Sequence, residues 1–109
     1  MAITIKTLGQ VSPNAITETD LYTVGAGTST VISSIVICNR SATQATFRVS
    51  ISVSGGATAT KDYIYYDLII AGNDTFVATI GMTLAATDKI RVYSSTANLS
   101  FNLFGQENN

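Results

Sequence analysis

The chain has 109 residues, 46% of them hydrophobic and 12% charged, with a formal net charge of −1 and neither histidine nor tryptophan. That length buries one core and not two, so a single domain over residues 1–109 is expected. The charged fraction is about half the roughly 25% of a typical soluble domain, and the basic residues Lys6, Arg40, Arg48, Lys61, Lys89 and Arg91 are scattered, which excludes nucleic acid as a partner.

Ile3 and Ile5 mark a weak first strand over residues 1–10. The stretch from Val11 to Asp20 holds the only proline, Pro13, and reads as an irregular link that frees residues 1–20 to act as an N-terminal strand or arm packed on a neighbouring subunit. Asp20 to Val24 is a short second strand. Gly25-Ala26-Gly27-Thr28 resembles part of a phosphate-cradling loop, but it precedes a strand instead of a helix, so it lacks the amide fan and dipole that hold phosphate and reads as a hairpin turn.

Thr30 to Cys38 carries apolar residues on both alternating sets, Val31, Ile35 and Ile37 on one and Ile32, Val36 and Cys38 on the other, so it should be central and covered. The polar run Asn39 to Gln44 has hairpin length and leads to the clearest alternation in the chain: Ala45, Phe47, Val49, Ile51 and Val53 inward, Thr46, Arg48, Ser50 and Ser52 outward. Gly55-Gly56 breaks the chain, and residues 55–60 read as an exposed connection committed to nothing.

Asp62 to Ile70 is an aromatic and β-branched strand in which Tyr63 and Tyr65 share a face and Tyr66 takes the other. After a turn at Ala71 to Asp74, Thr75 to Ile80 places Phe76, Ala78 and Ile80 inward, and Gly81 ends it. Ala85 to Asp88 turns the chain again. Lys89 to Tyr93 follows with Ile90 and Val92 inward and Arg91 and Tyr93 outward, and Leu99, Phe101 and Leu103 alternate with Ser100, Asn102 and Phe104 in the last strand. About eight strands at this spacing, with no helical period, predict an all-β chain folded as a small antiparallel β-sandwich, jelly-roll or immunoglobulin-like in wiring.

No catalytic machinery is expected. A serine or threonine nucleophile needs a base, and histidine is absent. Asp62 and Asp67, five residues apart on an extended strand, would stand roughly 16–17 Å apart, beyond the roughly 5–9.5 Å of a glycosidase pair. Asp74 and Asp88 sit in turns, where Asp bonds its own backbone. No cofactor or metal is expected; a calcium cage of loop oxygens is the one metal chemistry the composition leaves open. Cys38 is alone, so no disulfide framework exists and a buried thiol is the reading. The sequons at Asn39, Asn73 and Asn98 read as turn residues. No apolar run approaches a membrane span and no leader-like segment precedes the first strand, so no membrane partner is expected and the chain should be made in the cytoplasm. The candidate interface residues are Tyr63, Tyr65, Tyr66, Arg48, Arg91 and Tyr93, aromatic and Arg being the types that interfaces enrich.

From Leu21 to Gly105 the runs Leu21-Tyr22-Thr23-Val24, Val36-Ile37-Cys38-Asn39-Arg40, Thr46-Phe47-Arg48-Val49, Ile64-Tyr65-Tyr66-Asp67, Asn73-Asp74-Thr75-Phe76 and Lys89-Ile90-Arg91-Val92-Tyr93-Ser94-Ser95 resemble small structural proteins of tailed bacteriophages, cyanophages among them. The resemblance implies a component of the virion. A capsid decoration or cement protein binding across capsomers is the first expectation, with the major capsid protein or other virion proteins as partners. A tail or fibre module binding host glycan through Tyr63, Tyr65 or Tyr66 is the alternative. Neutral β surfaces with few charges favour assembly, and a homo-oligomer is expected, a trimer at local threefold positions by preference.

Overall fold

The structure, a computed structural model, describes residues 2–109; Met1, which opens the expected first strand, lies outside them. Among the described residues nine strands form: β1 Ile3–Val11, β2 Thr19–Thr23, β3 Ser29–Asn39, β4 Ala45–Ser52, β5 Tyr63–Ile70, β6 Thr75–Ala78, β7 Met82–Leu84, β8 Lys89–Ser94 and β9 Leu99–Asn108. One sheet runs β1-β9-β3-β6 with β7 also on β3, and the other runs β2-β8-β4-β5; every pairing is antiparallel. We call them sheet A and sheet B. The expected antiparallel β-sandwich is what forms.

The wiring follows one simple rule. In the ladders β1·β9, β2·β8, β3·β6, β3·β7 and β4·β5, the two numbers of each paired couple add up to between 111 and 115. The chain is therefore one long hairpin with its tip at Gly55-Gly56. That ribbon is rolled up so that β9 also pairs with β3 and β8 with β4. Counting β6 and β7 as one interrupted strand leaves eight, paired first with last, second with seventh, third with sixth and fourth with fifth, which is a jelly roll and not the immunoglobulin-like alternative.

Because the ribbon rolls, most connections cross between the sheets, and two expectations fail here. The turn at Gly25–Thr28 forms, with Thr28 N–H donating to the Gly25 carbonyl at 3.2 Å and Gly27 at φ 73, but it joins β2 of sheet B to β3 of sheet A and is no hairpin. The Asn39–Gln44 loop likewise leads from sheet A to sheet B. It is organised by Asn39, which is 1% exposed. The Asn39 amide nitrogen donates to the carbonyls of Thr43 (2.8 Å) and Ala71 (3.2 Å), and its oxygen accepts from Ser41 N–H and Oγ. Gly72 lies so close to this loop that any Cβ there would overlap the Ala42 carbonyl.

The core fills the space between the sheets with Ile32, Ile35, Ile37, Leu99, Phe101 and Leu103 from sheet A and Phe47, Val49, Ile90 and Val92 from sheet B. The Phe47 ring meets those of Phe76 at 5.4 Å, Tyr65 at 6.1 Å and Phe101 at 6.2 Å, offset and edge geometries that aromatic rings prefer. Strict alternation held along β8, along β9 to Gly105 and along β4 to Val49, beyond which Ser50 and Ser52 are buried as well; it failed along β3. A bulge between Ile32 and Ser34, opposite Gly105 and Phe104, shifts the phase by one residue, so Ile32 joins Ile35 in the core while Val31 turns outward. β3 is central, as expected, but its second face is only half covered. Cys38 lies half-buried on that outer face because it alternates with the core residue Ile37. Val53 and Ile80, expected inward, are exposed, since β4 ends at Ser52 in a 3-10 turn and β6 ends at Ala78. The short β7 was not foreseen; three residues show too little alternation.

Candidate functional site

The two outer faces of the sandwich differ in kind, and each follows from which residues the alternation sends outward. On sheet B the outward positions are Asp20 and Thr23 of β2, Lys89, Arg91 and Tyr93 of β8, Thr46, Arg48, Ser50 and Ser52 of β4, and Tyr63, Tyr66 and the exposed Ile69 of β5. Two register shifts on β5 decide the tyrosines. Tyr66 and Asp67 together oppose Arg48, with Asp67 in the left-handed region at φ 51, and Ile64 is the extra residue between Tyr63 and Tyr65. The expected grouping of Tyr63 with Tyr65 is therefore wrong. Tyr65 turns in against Phe47 and Phe76, whereas Tyr63 and Tyr66 meet edge to face outside, their ring centroids 4.8 Å apart.

Four of the six candidate residues come together on this face. The Arg48 guanidinium lies 4.3 Å from the ring centroids of both Tyr66 and Tyr93, and it grips Asp67 through two hydrogen bonds of 2.7 and 3.2 Å. That pairing holds the Asp67 carboxyl below the usual carboxylate range and pushes the guanidinium pKa higher still. The result is a self-satisfied ladder, Tyr63, Tyr66, Arg48 and Tyr93, with Tyr66 the most open ring. It offers stacking area, but one ring face is already taken by Arg48 and one edge by Tyr63.

Arg91 does something else. Its Nε donates to Asp20 at 3.0 Å, and Nη1 donates to Ser52 Oγ (2.9 Å), the Gly56 carbonyl (2.6 Å) and Thr58 Oγ1 (3.1 Å), while Nη2 reaches the Gly55 carbonyl at 3.3 Å. The 55–60 connection, expected to commit to nothing, is folded back over β4 and β8 and pinned there at the ribbon tip. Asp88 reinforces it by accepting from Ser54 N–H at 2.8 Å and Ala85 N–H at 2.9 Å. Asp20 also holds Lys89 at 3.0 Å, and these two cations keep its carboxyl below the usual range. Arg91 is thus an internal clamp, although sequence placed it among the interface residues, because no local pattern shows that residue 91 meets residue 56.

The carboxylates expected not to cooperate are engaged separately. Asp62 sits in the 3-10 turn Thr60–Asp62 before β5, where it accepts from Ala59 N–H (2.9 Å) and Lys61 Nζ (3.2 Å), and its pKa is lowered by those donors. Asp74 bonds Thr75 N–H at 2.8 Å. Among the described residues no three His, Cys, Asp or Glu side chains converge.

Sheet A presents the opposite surface. Its outward positions are Ile3, Ile5 and Thr7 of β1, Ser100, Asn102, Phe104 and Gln106 of β9, Val31, Ser33, Val36 and Cys38 of β3, and Val77 and Thr83 of the interrupted edge, none of them charged. A shallow groove of about 320 Å³ is lined by Ile5, Thr7, Val31, Ser33, Phe104 and Gln106, with Lys6 and Gly105 also in its wall. Lys6 and Glu107 alternate to the other side, where they pair at 3.0 Å and Glu107 also accepts the Tyr22 hydroxyl at 2.6 Å. Sequence reasoning missed this face. The signal was present in the alternation of β1, β3 and β9, whose outward set holds hydroxyls, amides and aliphatics only.

No family model matches the chain, and no curated protein matches it. Among solved structures it is similar to a chain in the structure of infectious bursal disease virus Gx strain, with TM-score 0.55 and 11% identity over 98% of this chain and 32% of that one. It is also similar to one in the structure of the Gt strain of the same virus, with TM-score 0.51 and 10% identity over 96% of this chain and 31% of that one. The chain spans about a third of those chains, and at such identity the likeness is one of fold.

Proposed function

We propose that this chain is a structural component of a virus particle, working by contact and without catalysis, and that its finer role is capsid decoration in a tailed bacteriophage, binding across capsomers. The observation that carries the reading is the contrast between the faces. Sheet B pairs its charges internally, whereas sheet A turns a broad, uncharged and partly aliphatic surface to the outside. Such a surface is poorly solvated alone and suits burial against protein. A jelly roll shared with a chain from a virus supports the same class. Many copies on a shell multiply a modest contact into a stable attachment.

The test is location and copy number: mass spectrometry of purified particles whose genome encodes the chain, with a density map of the head. A fixed, high copy number on the shell is the expected result, and absence from particles overturns the proposal. The competing role, host glycan recognition by the tyrosine ladder, predicts specific glycan-array binding lost in Tyr66→Ala. Arg48 and Tyr63 already occupy part of that ring, which favours the decoration role.

A further inference from the structure

Sandwich sheets end in edges whose free backbone groups can template another strand, and native proteins blunt such edges. Three of the four edges here are blunted. β5 carries two register shifts and Asp67 at φ 51, β2 has five residues and a shift of its own, and the β6/β7 edge is interrupted between Ala78 and Met82. β1 has a shift too, but only between Thr7 and Gly9: from Ile3 to Thr7 its ladder with β9 is regular, it holds no proline, and every residue from Ala2 to Thr7 is exposed.

The direction of its free groups follows from one pair. Ala2 and Asn109 exchange both backbone hydrogen bonds, at 2.6 and 3.0 Å. Such pairs alternate along an antiparallel ladder, so Ala2, Thr4 and Lys6 point their N–H and C=O at β9, and Ile3, Ile5 and Thr7 point theirs away. Of these residues Ile5 and Thr7 also line the groove on sheet A, and Ile5 is 81% exposed.

We propose that the Ile3–Thr7 edge of β1 pairs antiparallel with the same edge of a second copy of this chain, about a twofold axis at Ile5, joining two copies of sheet A into one continuous sheet. This deepens the assembly reading above and takes from it only that the chain acts as several copies. The twofold at Ile5 uses all three outward residues: Ile5 exchanges two hydrogen bonds with its mate, and Ile3 exchanges two with the mate's Thr7 on each side. Charge is tolerated as well. Lys6 falls opposite the mate's Thr4 and diagonal to the mate's Lys6, each lysine stays paired with its own Glu107 at 3.0 Å, and the Ile3, Ile5 and Thr7 side chains on the other face carry no charge. An axis at Lys6 would set lysine against lysine. Twofold pairing also replaces the threefold preference that came with the decoration reading, and it keeps β1 in its own sheet.

An edge of five residues buries less than the roughly 1,200 Å² of a standard interface, so the pairing is concentration-dependent. Sedimentation equilibrium from about 1 µM to about 1 mM reads it. The mass of the wild type rises toward twice the 11.5 kDa of one chain. Ile5→Pro removes an outward N–H without touching the β9 ladder, so it stays at the single-chain mass with an unchanged melting curve. Ile5→Lys, which alters only the side chain, does the same and serves if the proline variant misfolds. A wild type that stays at the single-chain mass, a threefold mass, or pairing unaffected by both variants overturns the proposal. Particle attachment is scored separately, so pairing lost in Ile5→Pro supports the edge whether or not the chain decorates heads.

Discussion

Replacing Arg91 with alanine separates its two roles, clamp and interface. Its side chain is 13% exposed, and it donates to five oxygens. Of those partners, the Gly55 and Gly56 carbonyls and Thr58 Oγ1 regain water when the loop lifts, and Asp20 keeps Lys89. Ser52 is 1% exposed, so the stranding of its hydroxyl adds about 1–3 kcal/mol, and the lost charge-assisted bonds bring the total to about 3 kcal/mol. Arg91→Lys keeps the charge and the Asp20 pair but cannot fork into Ser52, Gly56 and Thr58, and it should lose about half as much. Arg48→Ala is the control. Its partner Asp67 is exposed and the flanking rings are open, so it should cost about 1 kcal/mol or less. Urea unfolding with an unchanged slope measures all three, and amide exchange over residues 53–60 should accelerate in the Arg91 variants alone. An Arg91→Ala protein within about 0.5 kcal/mol of wild type, with exchange unchanged, refutes the clamp.

Asp20, Asp62, Asp67 and Glu107 all have pKa values lowered by their donors, so the unfolded chain takes up protons first. Their contribution is present above the ordinary carboxylate range and is lost as pH falls through about 4 and below; melting temperatures across pH 2–7 should be flat at the upper end and drop at the lower, and a flat acid limb would contradict these pairings. Tyr22 behaves in the opposite sense. Burial, with Glu107 beside it, pushes its hydroxyl up to about 12, so its contribution is full below the ordinary tyrosine value near 10 and fades as pH climbs to 12. Tyr22→Phe should remove that alkaline limb and cost about 1.5–2 kcal/mol, measured by denaturant titration at pH 7 and 11. Gly72→Ala drives a Cβ into the Ala42 carbonyl and should cost about 1–3 kcal/mol in the same titration, more than Gly81→Ala, where the space is open.

Strands were legible wherever a single face is buried over several residues, as in Phe47-Val49-Ile51, Ile90-Val92 and Leu99-Phe101-Leu103. Their sheet assignment was not, because a turn such as Gly25–Thr28 looks the same locally whether it closes a hairpin or carries the chain across the core. The bulges were the second blind spot. One extra residue near Ser33 or at Ile64 reverses the phase of everything beyond it, which exchanged Val31 for Ile32 and regrouped Tyr63 with Tyr66. The arginines illustrate the limit for sites. Arg48 and Arg91 both alternate outward, yet one lies among rings on the surface and the other is consumed by a loop some 35 residues away in the chain.

The distribution of charge ties the fold to its proposed use. Asp20, Arg48, Asp67, Lys89 and Arg91 are gathered on the outer face of sheet B and satisfy one another there. A chain with so few charges could have divided them between both faces, and doing so would have protected the exposed Ile3 and Ile5 and the open edge of β1 against association. In the proposed role, leaving sheet A bare makes the free chain adhesive along one defined surface. That is a hazard for a protein that works alone and an advantage for one that works only when another subunit covers it. The rolled ribbon places the difference physically: its closed tip, pinned by Arg91, lies over sheet B, and its two ends meet as β1 and β9 at the unguarded margin of sheet A.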